Sequence, residues 1–332
     1  MADALRADGA AVEFIGAGRA EAQLVPAAGF ALHSISVEGL SRKNPLKALR
    51  ALLRAALAVP RARKLLKHLQ ADAVMGGGGY VAGPVALAAI SLRIPLVLTE
   101  ADSHLGLTNR LMAPFARRVC LSFPLRGREG ARYRVTGRPI PAQARDEQTA
   151  RERLGIGADE TCVLVFGGSL GARSINRAAA EAFAGSAFHV LHISGRRDYG
   201  ELLSRGLPRG YDLRDYLDEP DFADALAAAD LTVARAGGSV FEIAAHGVPA
   251  VLVPYPHASG DHQSANARWM SEAGAAVVIP DGELTPARLA REVAELLADR
   301  TALATMASAS RSLARPNAAG EVAQELLEAA GG

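Results

Sequence analysis

The 332 residues are 49% hydrophobic but only 5% aromatic, and 37 basic side chains nearly balance 35 acidic ones for a formal charge of +2. That length fits two α/β domains better than one small core, and the charge is too small to define a nucleic-acid binder. Two distant cysteines, Cys120 and Cys162, form no disulfide framework and no metal-ligand spacing, which points to a reducing cytosolic compartment.

No signal peptide is expected at the start, and no uncharged apolar run reaches spanning length. Residues 12–16 read as a strand. Residues 42–67 then carry Arg42, Lys43, Lys47, Arg50, Arg54, Arg61, Arg63, Lys64 and Lys67 with no acidic residue between them. Leu46, Leu49, Leu52, Leu53 and Leu57 interleave at helical spacing, and Pro60 divides the stretch. Two readings fit it: a crossover helix with its leucines on the sheet, or a basic amphipathic segment lying on an anionic bilayer.

Residues 73–76 are a second predicted strand, followed by the glycine-rich run Gly76-Gly77-Gly78-Gly79-Tyr80-Val81-Ala82-Gly83-Pro84. Residues 81–98 are broken by Pro84, Arg93 and Pro95 and read as a helix followed by a strand at 95–98. The prolines of Gly137-Arg138-Pro139-Ile140-Pro141 precede a charged segment and mark the interdomain hinge. The domains therefore divide into 1–138 and 139–332, the last helix being a candidate to pack back on the first domain.

Beyond the hinge, predicted strands at 163–166, 189–193, 231–234 and 250–253 alternate with helical segments. Such alternation means parallel sheets wrapped by helices, with ligands at the carboxyl ends of strands. The strand at 163–166 runs into Gly167-Gly168-Ser169-Leu170-Gly171-Ala172-Arg173 and then an alanine-rich helix. Free backbone N–H groups and the positive dipole end at a helix N-terminus favour a phosphate or diphosphate. The spacing is not that of the dinucleotide fingerprint.

After 231–234 comes Arg235-Ala236-Gly237-Gly238-Ser239-Val240-Phe241-Glu242. Ser239 and Glu242 have capping-box spacing, and Glu242 is equally placed to accept both hydroxyls of a ribose. After 250–253, residues 257–266 crowd His257, Asp261, His262, Gln263 and Asn266 together, suited to sugar hydroxyls and less well to a metal.

The order Gly-Gly-Ser-Leu-Gly-Ala-Arg, Arg-Ala-Gly-Gly-Ser-Val-Phe-Glu, Asp-His-Gln-Ser-Ala-Asn-Ala resembles the MurG family of peptidoglycan N-acetylglucosaminyltransferases, enzymes of GT-B fold. Residues 76–84 resemble that family's second glycine-rich loop, and Gly106-Leu107-Thr108-Asn109-Arg110 and Gly137-Arg138-Pro139 fall where related segments are expected. The resemblance covers essentially the whole chain. It implies two Rossmann-like parallel-sheet domains facing across a cleft, and inverting transfer of N-acetylglucosamine from UDP-N-acetylglucosamine to the 4-hydroxyl of the muramyl sugar of lipid I, forming lipid II.

Carried over, Gly167, Gly168, Ser169, Gly171 and Arg173 would meet the UDP diphosphate. The backbone at Leu217 would read uracil, Gly238, Ser239 and Glu242 would hold ribose, and His262 with Gln263 would hold the sugar hydroxyls. Gly78, Gly79, Tyr80, Asp102, Asn109 and Arg138 would lie on the acceptor side. No metal or other cofactor is required. The implied partners are the UDP-sugar, lipid I and the anionic inner face of the cell membrane, where the enzyme would be peripheral and cytoplasmic, with no nucleic acid.

There are departures. The family opens with a strand and a Gly-Gly-Thr-Gly-Gly-His loop whose histidine is the usual candidate base, and the present sequence matches from after that point. Asp102 and His104 are the replacement candidates. The family's His-Glu-Gln-Asn reads Thr99-Glu100-Ala101-Asp102, and its Gly-Asn-Pro-Val-Arg hinge reads Gly137-Arg138-Pro139-Ile140-Pro141. Three alternatives stay open: a GT-B transferase with another lipid or polyketide acceptor, a UDP-N-acetylglucosamine 2-epimerase, and a module that binds donor without turnover.

Overall fold

Cys162–Phe166 is a run of five consecutive buried residues, the pattern of a parallel strand covered by helices on both faces. Strands of this kind alternate with helices along the chain. The structure is a computed structural model describing residues 1–331 except 19, 38–44 and 142–145, and no side chains at 45–49, 52 and 259. Two compact units divide it: Met1–Pro139 with Asn317–Gly332, and Ile140–Pro316.

The first unit runs α1 (Ala2–Ala7), β1 (Glu13–Gly16), α2 (Glu21–Ala27), β2 (Ala31–Ser34), α3 (Pro45–His68), β3 (Val74–Gly76), α4 (Gly79–Leu92), β4 (Leu96–Glu100), α5 (Leu107–Met112), β5 (Arg118–Leu121) and β6 (Tyr133–Val135). The second runs α6 (Glu147–Leu154), β7 (Cys162–Phe166), α7 (Arg173–Ala182), β8 (His189–Ile193), α8 (Arg196–Leu203), β9 (Tyr211–Arg214), α9 (Glu219–Ala228), β10 (Leu231–Ala234), α10 (Val240–His246), β11 (Ala250–Leu252), α11 (His262–Glu272), β12 (Ala276–Val278), α12 (Pro286–Ala298) and α13 (Arg300–Ser312). The last helix, α14 (Ala318–Gly331), returns to the first unit.

All strand pairings among the described residues are parallel. The second unit holds one sheet of order β12-β11-β10-β7-β8-β9. The chain therefore winds outward from β7 through β8 and β9, then returns to the other side of β7 at β10. The carboxyl ends of β7 and β10 flank that reversal, where open α/β sheets leave a crevice for ligands. Val163, Val165, Val190, Val233 and Val251 pack on Ile175, Ala179 and Phe183, from α7 and its C-terminal end, and on Leu289 and Val293 of α12.

The first unit has two sheets, β1-β2 and β3-β4-β5-β6. Among the described residues, β1 and β3 each pair on one side only. Both sheets nevertheless share a core, with Ile15 and Ile35 packed among Ala62 and Leu66 of α3, Val74, Val85 of α4 and Leu98. On the other face Val97 and Cys120 meet Val322 and Ala329 of α14. An Arg118 Nε–Glu325 Oε2 pair at 2.8 Å fixes that helix to β5. Burial and the nearby Glu325 charge push the Cys120 thiol up to about 12, so it behaves as an apolar filler.

One local expectation fails. Pro60 does not divide residues 42–67, because α3 runs unbroken through it. Pro60 is exposed while Ala58 and Ala62 are buried, so the ring sits on the solvent side and the helix gives up a single backbone hydrogen bond there. Arg42 and Lys43 lie outside the described residues.

Candidate functional site

The turn after β7 is shaped by steric necessity. A Cβ at Gly167 would lie 2.3 Å from the Ala172 nitrogen, and one at Gly171 would lie 2.0 Å from the Ser194 carbonyl oxygen. Gly171 also has φ 73°, and Gly195, packed against it, has φ 78°. Only glycine meets both demands. Gly168, at φ 89°, faces open space, with no atom within 4 Å of where a Cβ would stand. Gly168 and Ser169 are exposed at the loop tip.

α7 starts directly behind the loop. Its N-cap is Ala172, which supplies no side-chain acceptor, so the first-turn N–H groups stay available to an anion. Arg173 is exposed, with its guanidinium 3.3 Å from the buried Asp198 carboxylate.

The loop after β10 lies on the neighbouring strand, with Ala234 paired to Phe166. Ser239 occupies the N-cap of α10, yet its side chain accepts no helix N–H. The capping role that its spacing suggested is thus not the one it plays. Glu242 is half-buried in the first turn of this helix. Asn266 of α11, buried, donates from Nδ2 to the Ala236 carbonyl at 3.0 Å and so anchors the loop from below.

Gln263 joins the segment after β11 to the glycine loop after β10. Its Oε1 accepts from the Tyr255 N–H at 2.9 Å, and its Nε2 lies 3.9 Å from where a Cβ on Gly237 would stand. The amide is thereby oriented with its donors toward the glycine loop. Asp261, at φ 56°, takes the Ser264 hydroxyl at 2.6 Å. Leu217 follows β9 and is half-buried. The residues read from sequence as donor-binding all fall at the carboxyl end of this one sheet.

Sequence spacing assigns Arg235 no role, whereas the structure makes it the tie among those strand ends. It donates to the Val253 carbonyl at 3.1 Å, to Asp281 Oδ1 at 2.6 Å and to Ser174 Oγ at 2.8 Å. The site of α7, β10 and β11 is held in one frame by this single buried guanidinium.

In the first unit, Gly78 and Gly79 open α4 with φ 78° and 75°. Thr108 Oγ1 donates to the Gly79 carbonyl at 2.8 Å. Asn109 is buried and donates from Nδ2 to the Thr99 carbonyl and to Glu100 Oε2, both at 2.9 Å. Its Oδ1 is buried without a hydrogen-bond partner and lies 3.8 Å from a Cβ position on Gly78. Gly78, Gly79, Tyr80, Asp102 and Asn109 therefore gather around the ends of β3 and β4. Arg138 follows β6, the edge strand of the same sheet, with only β5 between β6 and β4.

Glu100 is a further residue that sequence reasoning passes over. Its Oε2 accepts from Gly106 N at 2.8 Å as well as from Asn109, and its Oε1 accepts from Asp102 N at 3.2 Å. With both oxygens occupied it is an anchor for the 100–109 loop. Asp102 is half-buried and His104 exposed.

A parallel-sheet unit with a glycine-rich turn at its switch point, joined to a second parallel-sheet unit with its own glycine loop, is the two-domain plan of the GT-B class of nucleotide-sugar enzymes, glycosyltransferases among them. Family models agree: residues 1–121 match the glycosyltransferase family 28 N-terminal domain and residues 162–322 its C-terminal domain. A Moorella thermoacetica protein named UDP-N-acetylglucosamine--N-acetylmuramyl-(pentapeptide) pyrophosphoryl-undecaprenol N-acetylglucosamine transferase is 41% identical, over 95% of this chain and 90% of its own. A Rubrobacter xylanophilus protein of the same name is 43% identical, over 99% and 98%. The crystal structure of Acinetobacter baumannii MurG superposes with TM-score 0.80 at 29% identity, covering 98% of this chain and 94% of that one. The chain belongs to glycosyltransferase family 28 and, within it, to the MurG group.

Proposed function

We propose that the chain transfers N-acetylglucosamine from UDP-N-acetylglucosamine to the 4-hydroxyl of the N-acetylmuramyl sugar of lipid I, with inversion, forming lipid II. The observation that carries this is the donor-type architecture after β7 and β10, in a chain 41% identical over 95% of its length to a transferase so named. In the reaction the acceptor oxygen bonds to the anomeric carbon as the bond to the UDP phosphate breaks. Negative charge then grows on the departing diphosphate, which the turn of residues 167–171, with Ser169, Arg173 and the N-terminus of α7, would receive. Fixed donors suit this step because they need no reorganisation as the charge develops.

Glu242 would accept the ribose hydroxyls beside Gly238 and Ser239, the Leu217 backbone would read uracil, and Gln263 with His262 would hold the sugar. With these donors the transfer needs no metal. The acceptor would engage the first unit at Gly78, Gly79, Tyr80 and Asn109, with Arg138 reaching it from the far edge of the sheet. The proton of the 4-hydroxyl would pass to Asp102 or His104.

The first unit would sit against the anionic cytoplasmic face of the membrane. Leu53 and Leu57 on α3, Leu87 on α4 and Leu107 and Leu111 on α5 are exposed, as is Phe115. Arg61, Lys64, Arg110 and Arg117 are exposed on the same elements and the segment after α5. No helix among the described residues is long and apolar enough to cross a membrane. Incubation with UDP-N-acetylglucosamine and a lipid I analogue tests the reaction: a new β-linked disaccharide and free UDP are expected, whereas N-acetylmannosamine would mean an epimerase and donor binding without product a binding module.

A further inference from the structure

A line of buried polar side chains runs beneath the diphosphate turn. It begins at Tyr211 on β9, passes through His192 on β8 and Asn176 on α7, and ends at Asp198 on α8. His192 and Asn176 are fully buried, and Asp198 is 4% exposed. An interior of this kind is costly unless each group is satisfied, and none of these four is left with an unpaired buried atom.

The acceptors fix the direction of every bond. Asn176 Nδ2 donates to the Ser194 carbonyl at 2.8 Å and to Asp198 Oδ2 at 3.0 Å, so its Oδ1 must be the atom facing His192 Nε2 at 3.1 Å. Nε2 therefore carries the imidazole proton, and Nδ1 accepts the Tyr211 hydroxyl at 2.7 Å. All donors point toward Asp198. Burial holds the His192 pKa down to about 3, so the ring stays neutral and the order persists through the physiological range.

The far end of this relay touches the turn twice. Asp198 receives Arg197 through two bonds of 2.9 Å and Arg173 at 3.3 Å. The Ser194 carbonyl that Asn176 holds is the atom against which Gly171 is wedged. We infer, on the donor-site reading above, that Asn176 and His192 are positioning residues for the diphosphate turn. They fix the height of Gly171 through Ser194 and the aim of Arg173 through Asp198.

Calorimetric titration with UDP, on His192→Phe and His192→Gln beside the wild type, tests it. Glutamine can accept from Tyr211 and donate to Asn176, whereas phenylalanine fills the space and does neither. His192→Phe should raise the UDP Kd at least tenfold and the KM for UDP-N-acetylglucosamine in parallel, leaving the acceptor KM unchanged, and His192→Gln should stay within threefold of wild type. A folded phenylalanine variant that binds UDP as the wild type does, with only its Tm lowered, overturns the inference and leaves the donor-site reading standing. A glutamine variant as weak as the phenylalanine one also overturns it, since the defect would then follow packing. Wild-type protein that fails to bind UDP overturns both. If His192→Phe does not fold, Tyr211→Phe removes only the outermost hydroxyl: a two- to threefold weaker UDP affinity is expected, and an unchanged one overturns the relay.

Discussion

Gly171→Ala separates the geometry of the glycine-rich turn after β7 from ordinary backbone strain. The new methyl would stand 2.0 Å from the Ser194 carbonyl oxygen, where contacts under 3.0 Å force movement, so the turn must lift by about 1 Å. A left-handed φ of 73° adds roughly 1–2 kcal/mol of strain for any residue with a Cβ. Gly210→Ala is the matched control: its φ is 87°, but nothing lies within 4 Å, and it stands at the amino end of β9, away from the site. Both variants therefore carry similar left-handed strain, and Gly171→Ala alone adds the clash, so its further loss of stability measures the displacement of the turn. Misplacement by about 1 Å at a reacting centre lowers turnover roughly 100-fold, or about 2.7 kcal/mol of transition-state stabilisation. Gly171→Ala should show that loss in kcat/KM for UDP-N-acetylglucosamine, together with a weaker UDP Kd by calorimetry, while Gly210→Ala retains both. Equal kcat/KM in the two variants would refute the reasoning, because displacement of the turn would then have no consequence.

Three other expectations follow from particular contacts. Glu242→Gln should narrow the preference for UDP over 2′-deoxy-UDP; a lowered Tm with discrimination intact would return the residue to a capping role. The Arg197 guanidinium holds the Asp198 carboxyl down at about 2, with further help from Arg173 and Asn176. Its contribution to stability is thus full above the ordinary aspartate range near pH 4 and is lost as pH falls through about 2, so the stability gap between wild type and Asp198→Asn should be flat above pH 5 and shrink between pH 4 and 2 in urea titrations. Binding to vesicles should require anionic lipid and fall with salt, and Arg61→Glu with Lys64→Glu should weaken it by roughly 30-fold or more, at about 1 kcal/mol for each cation removed; equal sedimentation with neutral vesicles would sink the electrostatic mechanism.

The central strands were legible because burial on both faces writes them as apolar runs. β7, β8, β10 and β11 fall within a residue or two of where their sequences placed them. β6, Tyr133–Val135, is a short edge strand with an arginine in the middle and carries no such signal. β12, Ala276–Val278, at the far edge of the second sheet, does lie in such a run, residues 275–279 between Gly274 and Pro280. Proline misled at position 60, where an exposed ring inside a long helix is tolerated.

Glycine-rich turns were equally legible, since steric demands as strict as those at Gly167 and Gly171 leave no other residue possible. The polar groups that hold those turns were not. Asn176 and His192 sit 16 positions apart and meet only because α7 crosses β8. Arg235 gathers partners from positions 174, 253 and 281. A helical asparagine or a strand histidine reads locally as a surface residue, and only the tertiary fold shows that it is surrounded.

UDP is expected to occupy the crevice where the sheet of the second unit reverses direction, and the whole donor-site reading depends on that placement. Hydrogen exchange with and without saturating UDP tests this most directly, by resolving which amides the ligand protects. Protection should concentrate in residues 167–176, in residues 236–242 and around Leu217, with the glycine loop at 77–80 unchanged. Protection confined to the first unit, or found at neither turn, would contradict it.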